Sequence, residues 1–480
     1  MAANIDRTGH TRPGVRTGRT GGAWVSMTQV PDSSGRNVGG LAVGSAQVPA
    51  GAPQPAPQPG AAPAPAAGGV YGSPRPATRS RRRLLALLIA TLVLTGALGS
   101  GAAFQLNREL PAPVVTTDIG ATLRVPGKPA ALPWPAEGSA ELTVEGLDRL
   151  GGSGGGPAKP IGSVAKVMTA FLILREHPLS GDQEGPSLTV TAKDVADYES
   201  RKATHQSLVH VIEGMKLTQR DALEALMLPS ANNIAHQLAV WDAGSEAAFV
   251  DKMNAAADEL GMADTEYTDP SGFQPTTVST AADQVVLGRA ALKLPAFAEI
   301  VELPEATIPV AGQISNYNDL LGENGVFGIK TGSTDEAGGC LLFASRLKVG
   351  SRTLVLVGAV FNQPGANTPE QLAATNKVVR KLLTAVGRTV KEYQLIPATP
   401  VGTVVTDWGA SATVSLATPL TVIGWQGQSV PVTVRTTVPA PEAAAGQEVG
   451  IVEASGVQVK LRTDVEVEEP SLWWRLTRLD

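Results

Sequence analysis

Cysteine and histidine are scarce in this chain, and a net positive balance is confined to one end of it. Cys340 is the single cysteine among 480 residues, so no intramolecular disulfide can form and stability has to come from a packed core. It lies in the apolar run Cys340-Leu341-Leu342-Phe343-Ala344, which reads as a strand carrying a small buried hydrophobe rather than a reactive thiol. The five histidines make no metal-binding pattern. His205 and His210 have the wrong spacing for one helix face, and no H-E-x-x-H run occurs. No metal and no cofactor is expected.

Residues 1–83 hold ten arginines against Asp6 and Asp32, a balance of +8; the whole chain is −5, which leaves −13 for residues 84–480. A surface that negative excludes nucleic acid as a partner of the larger part. The basic stretch is rich in Gly, Pro and Ala with almost nothing to build a core from, and is expected to be a disordered cytoplasmic segment. Its arginines can meet anionic lipid.

One long apolar run is present. Residues 84–104 are uncharged and long enough to cross a bilayer as a helix, and Arg79, Arg81, Arg82 and Arg83 precede them directly. The positive-inside rule puts that flank in the cytoplasm and the remainder outside. A cleaved signal peptide is the alternative, suggested by the small residues Ser100 to Ala103, but signal peptides normally begin within the first residues. An uncleaved membrane anchor is the preferred reading.

Residues 105–130 are expected to be a tether, residues 131–392 a catalytic domain, and residues 393–480 a β-rich domain. Ala140 to Leu147 alternates as a strand does, and the glycine run Gly151 to Gly156 is expected to turn the chain. Ser163 to Glu176 reads as a helix apolar on nearly all sides, stopped by Pro178. Thr218–Leu228, Asn232–Trp241, Ala247–Leu260 and Ala374–Val386 read as further helices. Phe327–Thr331, Gly339–Leu347 and Arg352–Phe361 read as strands. Helices packed on an antiparallel sheet, an α+β class, are the expected architecture. Short β runs such as Ala412–Leu416, Val430–Val434 and Val457–Leu461 then indicate a small all-β domain, expected to be a sandwich, with no catalytic cluster in it. At the end, Leu472 to Leu476 suits either a membrane interface or packing on the β domain.

Three short motifs carry the chemistry: Ser163-Val164-Ala165-Lys166, Ser230-Ala231-Asn232 and Lys330-Thr331-Gly332. A serine hydroxyl is a poor nucleophile until a base takes its proton, and the candidate base stands three residues later. If Ser163 opens a helix, positions i and i+3 share a face, and hydroxyl and amine enter one cleft. Lysine ordinarily titrates near 10.4, but burial and a neighbouring cation such as Lys330 both favour the neutral form that accepts a proton.

The order and separation of these motifs resemble the penicillin-interacting serine peptidases, with their S-x-x-K, S-D-N and K-T-G signature. The neighbouring runs Gly328 to Thr334 with Ala337 to Leu341, Met253-Asn254 to Leu260-Gly261-Met262, and Asp269-Pro270-Ser271-Gly272-Phe273 narrow the resemblance to the low-molecular-mass D-alanyl-D-alanine carboxypeptidases, over residues 131 to 390. The resemblance implies a serine β-lactamase/DD-peptidase-like catalytic domain followed by a small all-β domain. It implies Ser163 as the acylated nucleophile, Lys166 as base, Ser230 as proton relay to the leaving amine, and Asn232 as a contact to the substrate backbone. Lys330 and Thr331 would hold the terminal carboxylate, Gly332 would let substrate approach, and the amides of Ser163 and Ser333 would form the oxyanion hole. The implied partners are a peptidoglycan stem peptide ending in D-Ala-D-Ala and β-lactams as acylating inhibitors. Ala231 stands where Gly or Asp is common, and Thr277 where family members often carry His. An endopeptidase, or a catalytically silent peptidoglycan-binding relative, is the alternative. A class A β-lactamase is disfavoured because no Glu-x-x-Leu-Asn segment is found.

Overall fold

Apolar residues that follow the arginines coil into a helix, Thr78–Asn107, in the computed structural model, which describes residues 78–479. Thirty residues at about 1.5 Å each give about 45 Å, more than the roughly 30 Å of a bilayer's hydrocarbon. Leu85, Leu88, Leu92 and Phe104 along it are exposed, and it is long and apolar enough to cross a membrane. The helix runs past both ends of the expected 84–104 span and includes Arg81 to Arg83, since arginine is itself a good helix former. The segment 78–83, expected to be disordered, is therefore helical; the rest of that expectation, residues 1–77, lies outside the described residues.

Alternating side chains build the larger domain. Its five-stranded antiparallel sheet runs in the order Val326–Thr334, Gly338–Val349, Arg352–Gln363, Ser139–Val144, Asp148–Ser153. Successive side chains point to opposite faces. Cys340, Leu342 and Ala344 accordingly enter one core, with the helices around Lys166–Glu176, while Leu341 and Phe343 enter another with Val379, Leu382 and Val386 of the helix Thr368–Thr389. Cys340 is fully buried, and burial pushes its thiol up to about 12, which keeps it unreactive. Gly358 leaves room where a Cβ would lie 2.4 Å from the Phe343 ring.

The helical half centres on Lys166–Glu176, in which every residue from Lys166 to Leu174 is buried. The helices Gln219–Met227, Asn232–Ala243 and Glu246–Leu260 pack around it. Thr218 closes a capping box with Asp221 at the first, and Gly244 and Gly261, both left-handed, end the other two, as helix stop signals do. Sequence periodicity passed over Ala192–Lys202, Ala281–Ala291 and Pro295–Glu302. The turn expected at Gly151 to Gly156 falls elsewhere: Gly146, at φ 76°, turns the chain, and Gly151 and Gly152 belong to a strand. A Cβ on Gly152 would lie 2.1 Å from Glu141 Oε2, so these glycines serve close strand approach, not reversal.

Residues 105–130, expected to be a tether, contribute strands instead. Val114–Thr117 pairs with Pro400–Val405, and Thr122–Arg124 pairs with Ser429–Thr436. They form the two edges of a seven-stranded antiparallel sheet whose interior strands are Pro400–Val405, Ser411–Leu416, Val457–Thr463, Glu448–Ala454 and Ser429–Thr436. Val125 is fully buried in its core. The alternation over so few residues is too short to register as strand, and pairing with distant partners decides it. A two-stranded pair, Lys391–Ile396 with Leu420–Gly424, completes the β part; its Ile423 joins the core beneath the catalytic sheet.

The two readings of the C-terminal run divide between adjacent residues. Within the helix Leu472–Thr477, Trp474 stacks edge-on against Trp408 of the β domain at 5.6 Å, whereas Trp473 is 75% exposed. Arg478 is buried and donates to the carbonyls of Arg108 and Glu109, just beyond the apolar helix.

A fragment that begins at residue 131 is therefore expected to be less stable than one that begins at residue 108. It loses four strand pairs at one edge and three at the other, each worth about 0.2–1 kcal/mol, together with the burial of Val125. Thermal denaturation of the two fragments is the check, with a lower midpoint and earlier aggregation for the shorter one; equal midpoints would show that the edge strands contribute nothing.

Candidate active site

A short 3-10 turn, Gly162–Ala165, runs directly into the helix that begins at Lys166. The tight winding places Ser163 one turn ahead of Lys166, and Lys166 Nζ lies 2.9 Å from Ser163 Oγ. The same nitrogen donates to Asn232 Oδ1 at 2.6 Å and to the Ser271 carbonyl at 2.8 Å. Lys166 is fully buried. Burial is the main force holding its amine well below the ordinary lysine range, with the Lys330 charge adding to it; Asp269 acts in the opposite direction, and Arg201 weakly in the same.

Lys330 and Thr331 lie on the sheet-edge strand Val326–Thr334, both buried. Burial brings the Lys330 ammonium down to about 7. The strand presses on the turn that carries Ser163. A Cβ on Gly332 would lie 2.7 Å from the Ile161 carbonyl oxygen and 3.1 Å from the Ser163 nitrogen, and one on Gly162, at φ 53°, would lie 3.1 Å from the Ser333 nitrogen. Neither position has room for a side chain, and the Ser163 and Ser333 amides flank one narrow gap. The role expected of Gly332 was access for substrate; the contact present is backbone against backbone within the chain. Ser333 Oγ is itself engaged, by Thr368 Oγ1 at 3.1 Å and by Gln371 Oε1.

Ser230 follows the helix Gln219–Met227 in a left-handed conformation, φ 66°, which costs a non-glycine residue about 1–3 kcal/mol. Its Oγ is buried with no hydrogen-bond partner among the described residues. Asn232 opens the next helix. Expected as a substrate contact, it has both ends of its amide occupied: Oδ1 accepts from Lys166, and Nδ2 donates to Gln206 Oε1 at 2.8 Å. The candidate residues Ser163, Lys166, Asn232, Lys330, Thr331, Gly332 and Ser333 thus meet where the nucleophile turn, the Asn232 helix and the sheet-edge strand come together.

The loop Asp269–Phe273 completes the environment of Lys166, and the motifs alone did not reveal it. Its Ser271 carbonyl is one of the three acceptors around Nζ. Thr277, whose contact was left open, is fully buried and donates to Asp269 Oδ1 at 2.7 Å. The signal available in the sequence was an aspartate two residues before Ser-Gly, a pattern in which a carboxylate caps its own turn.

Glu176, His177 and Asp242 form a group close enough to share a cation. Lys252 Nζ already sits there, 2.7 Å from Glu176 and 2.8 Å from Asp242, and supplies the positive charge. It stands apart from the cleft.

Comparison with known proteins agrees with this geometry. Residues 157–363 match the family model for D-alanyl-D-alanine carboxypeptidase. The chain is 34% identical over 201 residues to the D-alanyl-D-alanine carboxypeptidase of a Streptomyces species, an alignment covering 38% of this chain and 67% of the relative. It is 33% identical over 210 residues to the D-alanyl-D-alanine endopeptidase of Pseudomonas aeruginosa, covering 42% of this chain and 64% of that protein. Penicillin binding protein 5 from Haemophilus influenzae shares the fold, with a TM-score of 0.50 and 20% identity over 71% of this chain and 100% of that one. The helices and antiparallel sheet around Ser163, and the sequence that carries them, place this chain in the D-alanyl-D-alanine carboxypeptidase family of serine peptidases.

Proposed function

We propose that the chain removes the terminal D-alanine from peptidoglycan stem peptides through a Ser163 acyl-enzyme, and that β-lactams acylate the same hydroxyl. The observation that carries this reading is the buried amine of Lys166 at 2.9 Å from Ser163 Oγ. Held neutral by burial and by Lys330, it takes the serine proton as the oxygen attacks the penultimate carbonyl. The amides of Ser163 and Ser333 stabilise the developing oxyanion, and such a donor typically contributes about 3 to 4 kcal/mol. Ser230, whose buried Oγ has no partner among the described residues, passes a proton to the leaving amine. Lys330 and Thr331 hold the free carboxylate, and water then releases the acyl group. A silent relative would be expected to lack the serine or the lysine, and both are present.

The similarity to a D-alanyl-D-alanine endopeptidase, at nearly the same identity, supports a second reading in which the enzyme cuts cross-links. The two readings differ in whether a C-terminal carboxylate is required. The helix Thr78–Asn107 anchors the enzyme, with the Arg81–Arg83 flank in the cytoplasm and the catalytic domain outside.

A fluorescent penicillin is expected to label the protein covalently at Ser163, and Ser163→Ala to abolish the label without a change in far-ultraviolet circular dichroism. Label mapped to another serine would discard the nucleophile assignment.

The carboxylate contact has its own signature. Amidating the terminal D-alanine is expected to lower kcat/KM at least roughly tenfold, about 1.4 kcal/mol. With Lys330 at about 7 in the free enzyme, it is charged below that pH and neutral above, so kcat/KM for the free acid falls as pH rises through neutrality. That alkaline limb should be missing for the amidated peptide. Equal turnover of the two peptides at every pH would favour the endopeptidase.

Protease added to intact protoplasts should remove the catalytic domain and spare an epitope placed before Arg81. Loss of the epitope would reverse the orientation.

A further inference from the structure

We infer that Asp269 and Thr277 form a positioning pair that aims the lone pair of Lys166 at Ser163, acting through the carbonyl oxygen of Ser271. The inference deepens the reading of Lys166 as the base and rests on it.

An ammonium has three N–H donors, and Lys166 Nζ has three oxygens around it: Ser163 Oγ, Asn232 Oδ1 and Ser271 O. The neutral amine has two N–H groups and one lone pair. Two of the three neighbours are carbonyl oxygens that can only accept; the Ser163 hydroxyl alone can donate. The neutral amine therefore satisfies all three contacts in one way, with both N–H groups on the carbonyls and the lone pair on the hydroxyl. The proton then moves from Ser163 Oγ to Nζ as the oxygen bonds to the substrate carbonyl carbon. The resulting ammonium finds its third N–H already facing an oxygen. As the bond to the leaving D-alanine nitrogen breaks, that nitrogen takes up a proton and Lys166 returns to neutral.

This steering works only if both carbonyls stay in place. Asn232 is held by Gln206, through the bond from its Nδ2. Ser271 sits in a loop with no sheet or helix ladder to fix it, and a carboxylate does so instead. Asp269 Oδ2 accepts from the Ser271 amide at 3.1 Å, the Ser271 hydroxyl at 2.6 Å and the Phe273 amide at 3.0 Å. Its other oxygen accepts from the Gln274 amide at 3.3 Å and from Thr277 Oγ1 at 2.7 Å. The Thr277 hydroxyl in turn accepts from the amides of Thr268 and Asp269. Gly272, at φ 74°, wedges this loop on the nucleophile turn: a Cβ there would lie 1.9 Å from the Gly162 carbonyl oxygen. A loop packed that closely cannot shift without moving its carbonyl relative to Ser163.

Charge acts alongside geometry. The charged groups that bear on Lys166 are Lys330, Asp269 and Arg201, and of these Asp269 alone favours the ammonium. Without it the amine holds its proton less well, and the acid limb of acylation moves to lower pH.

The test is the second-order rate of acylation by a fluorescent penicillin, measured on the full-length protein against pH, with thermal midpoints taken in parallel. Thr277→Val keeps the shape and removes the hydroxyl; the rate is expected to fall by roughly ten- to a hundredfold, as misplacement of a reacting group does. Thr277→Ser restores the hydroxyl and is expected to restore most of the rate. Asp269→Asn should lower the rate and move the acid limb to lower pH. If Thr277→Val and Asp269→Asn proteins that remain folded at the assay temperature acylate at the unmodified rate with an unmoved acid limb, the inference is wrong. Equal loss of rate in Thr277→Val and Thr277→Ser would overturn it too, because the hydroxyl would then not be the operative group. Lys166→Met separates this from the underlying reading: rapid acylation of that variant removes Lys166 as the base, whereas loss of acylation there with normal rates in the other variants removes only the positioning pair.

Discussion

A lysine amine removed from water inside the helical core is the constraint on which this structure depends. Taking an ammonium out of solvent costs several kcal/mol even after relaxation, to an order of magnitude, and the chain does it at Lys166 and again at Lys330. Among the described residues no carboxylate is bonded to Lys166 to offset the charge; its three partners there are a hydroxyl, an amide oxygen and a backbone carbonyl. The environment consequently suits the neutral amine, and that is the state in which a lysine can act as a base. A core this apolar is what the nearly all-hydrophobic helix Lys166–Glu176 supplies, so the packing that stabilises the domain also sets the protonation of Lys166.

Close backbone approach is the second requirement. Gly162, Gly272 and Gly332 stand where three segments meet, and a Cβ at any of them would press on the backbone of another segment. Removing side chains at these contacts lets the nucleophile turn, the Asp269 loop and the sheet-edge strand converge. The left-handed Ser230 is a further local cost, borne by the surrounding burial. Ser230 and the three glycine contacts put several such departures within one site, and left-handed non-glycine residues also occur away from it, as at Val310 and Asn324.

Strand pairing joins the segment that follows the long apolar helix to the β domain. The residues that leave the apolar helix supply both edges of the seven-stranded sheet, and Arg478 returns from the far end of the chain to the carbonyls of Arg108 and Glu109. Chain that reads as a loose connector is thereby a structural part of the β domain. Ile423 carries the contact onward into the core beneath the catalytic sheet, so the three parts beyond residue 84 are linked by packing as well as by sequence.

Residue pattern alone marked Ser163, Lys166 and the Lys330-Thr331-Gly332 strand as candidate site residues, because a helical turn brings i and i+3 together and a strand with apolar residues on both faces must be buried. The long apolar helix, the Asn232 helix and the apolar strand from Cys340 to Ala344 were legible for the same reason: each is a local pattern. What lay beyond reach was every contact made between segments far apart in the chain. Nothing local distinguishes Val114–Thr117 and Thr122–Arg124 from a linker until the partners near residues 400 and 430 are in place, and nothing near Gly151 separates close strand approach from a turn. The full shell of Lys166 was equally hidden, since Asn232 and Ser271 stand 66 and 105 residues from it in sequence. Tertiary structure decided these points, because hydrogen-bond geometry and burial belong to pairs of segments and not to either one alone.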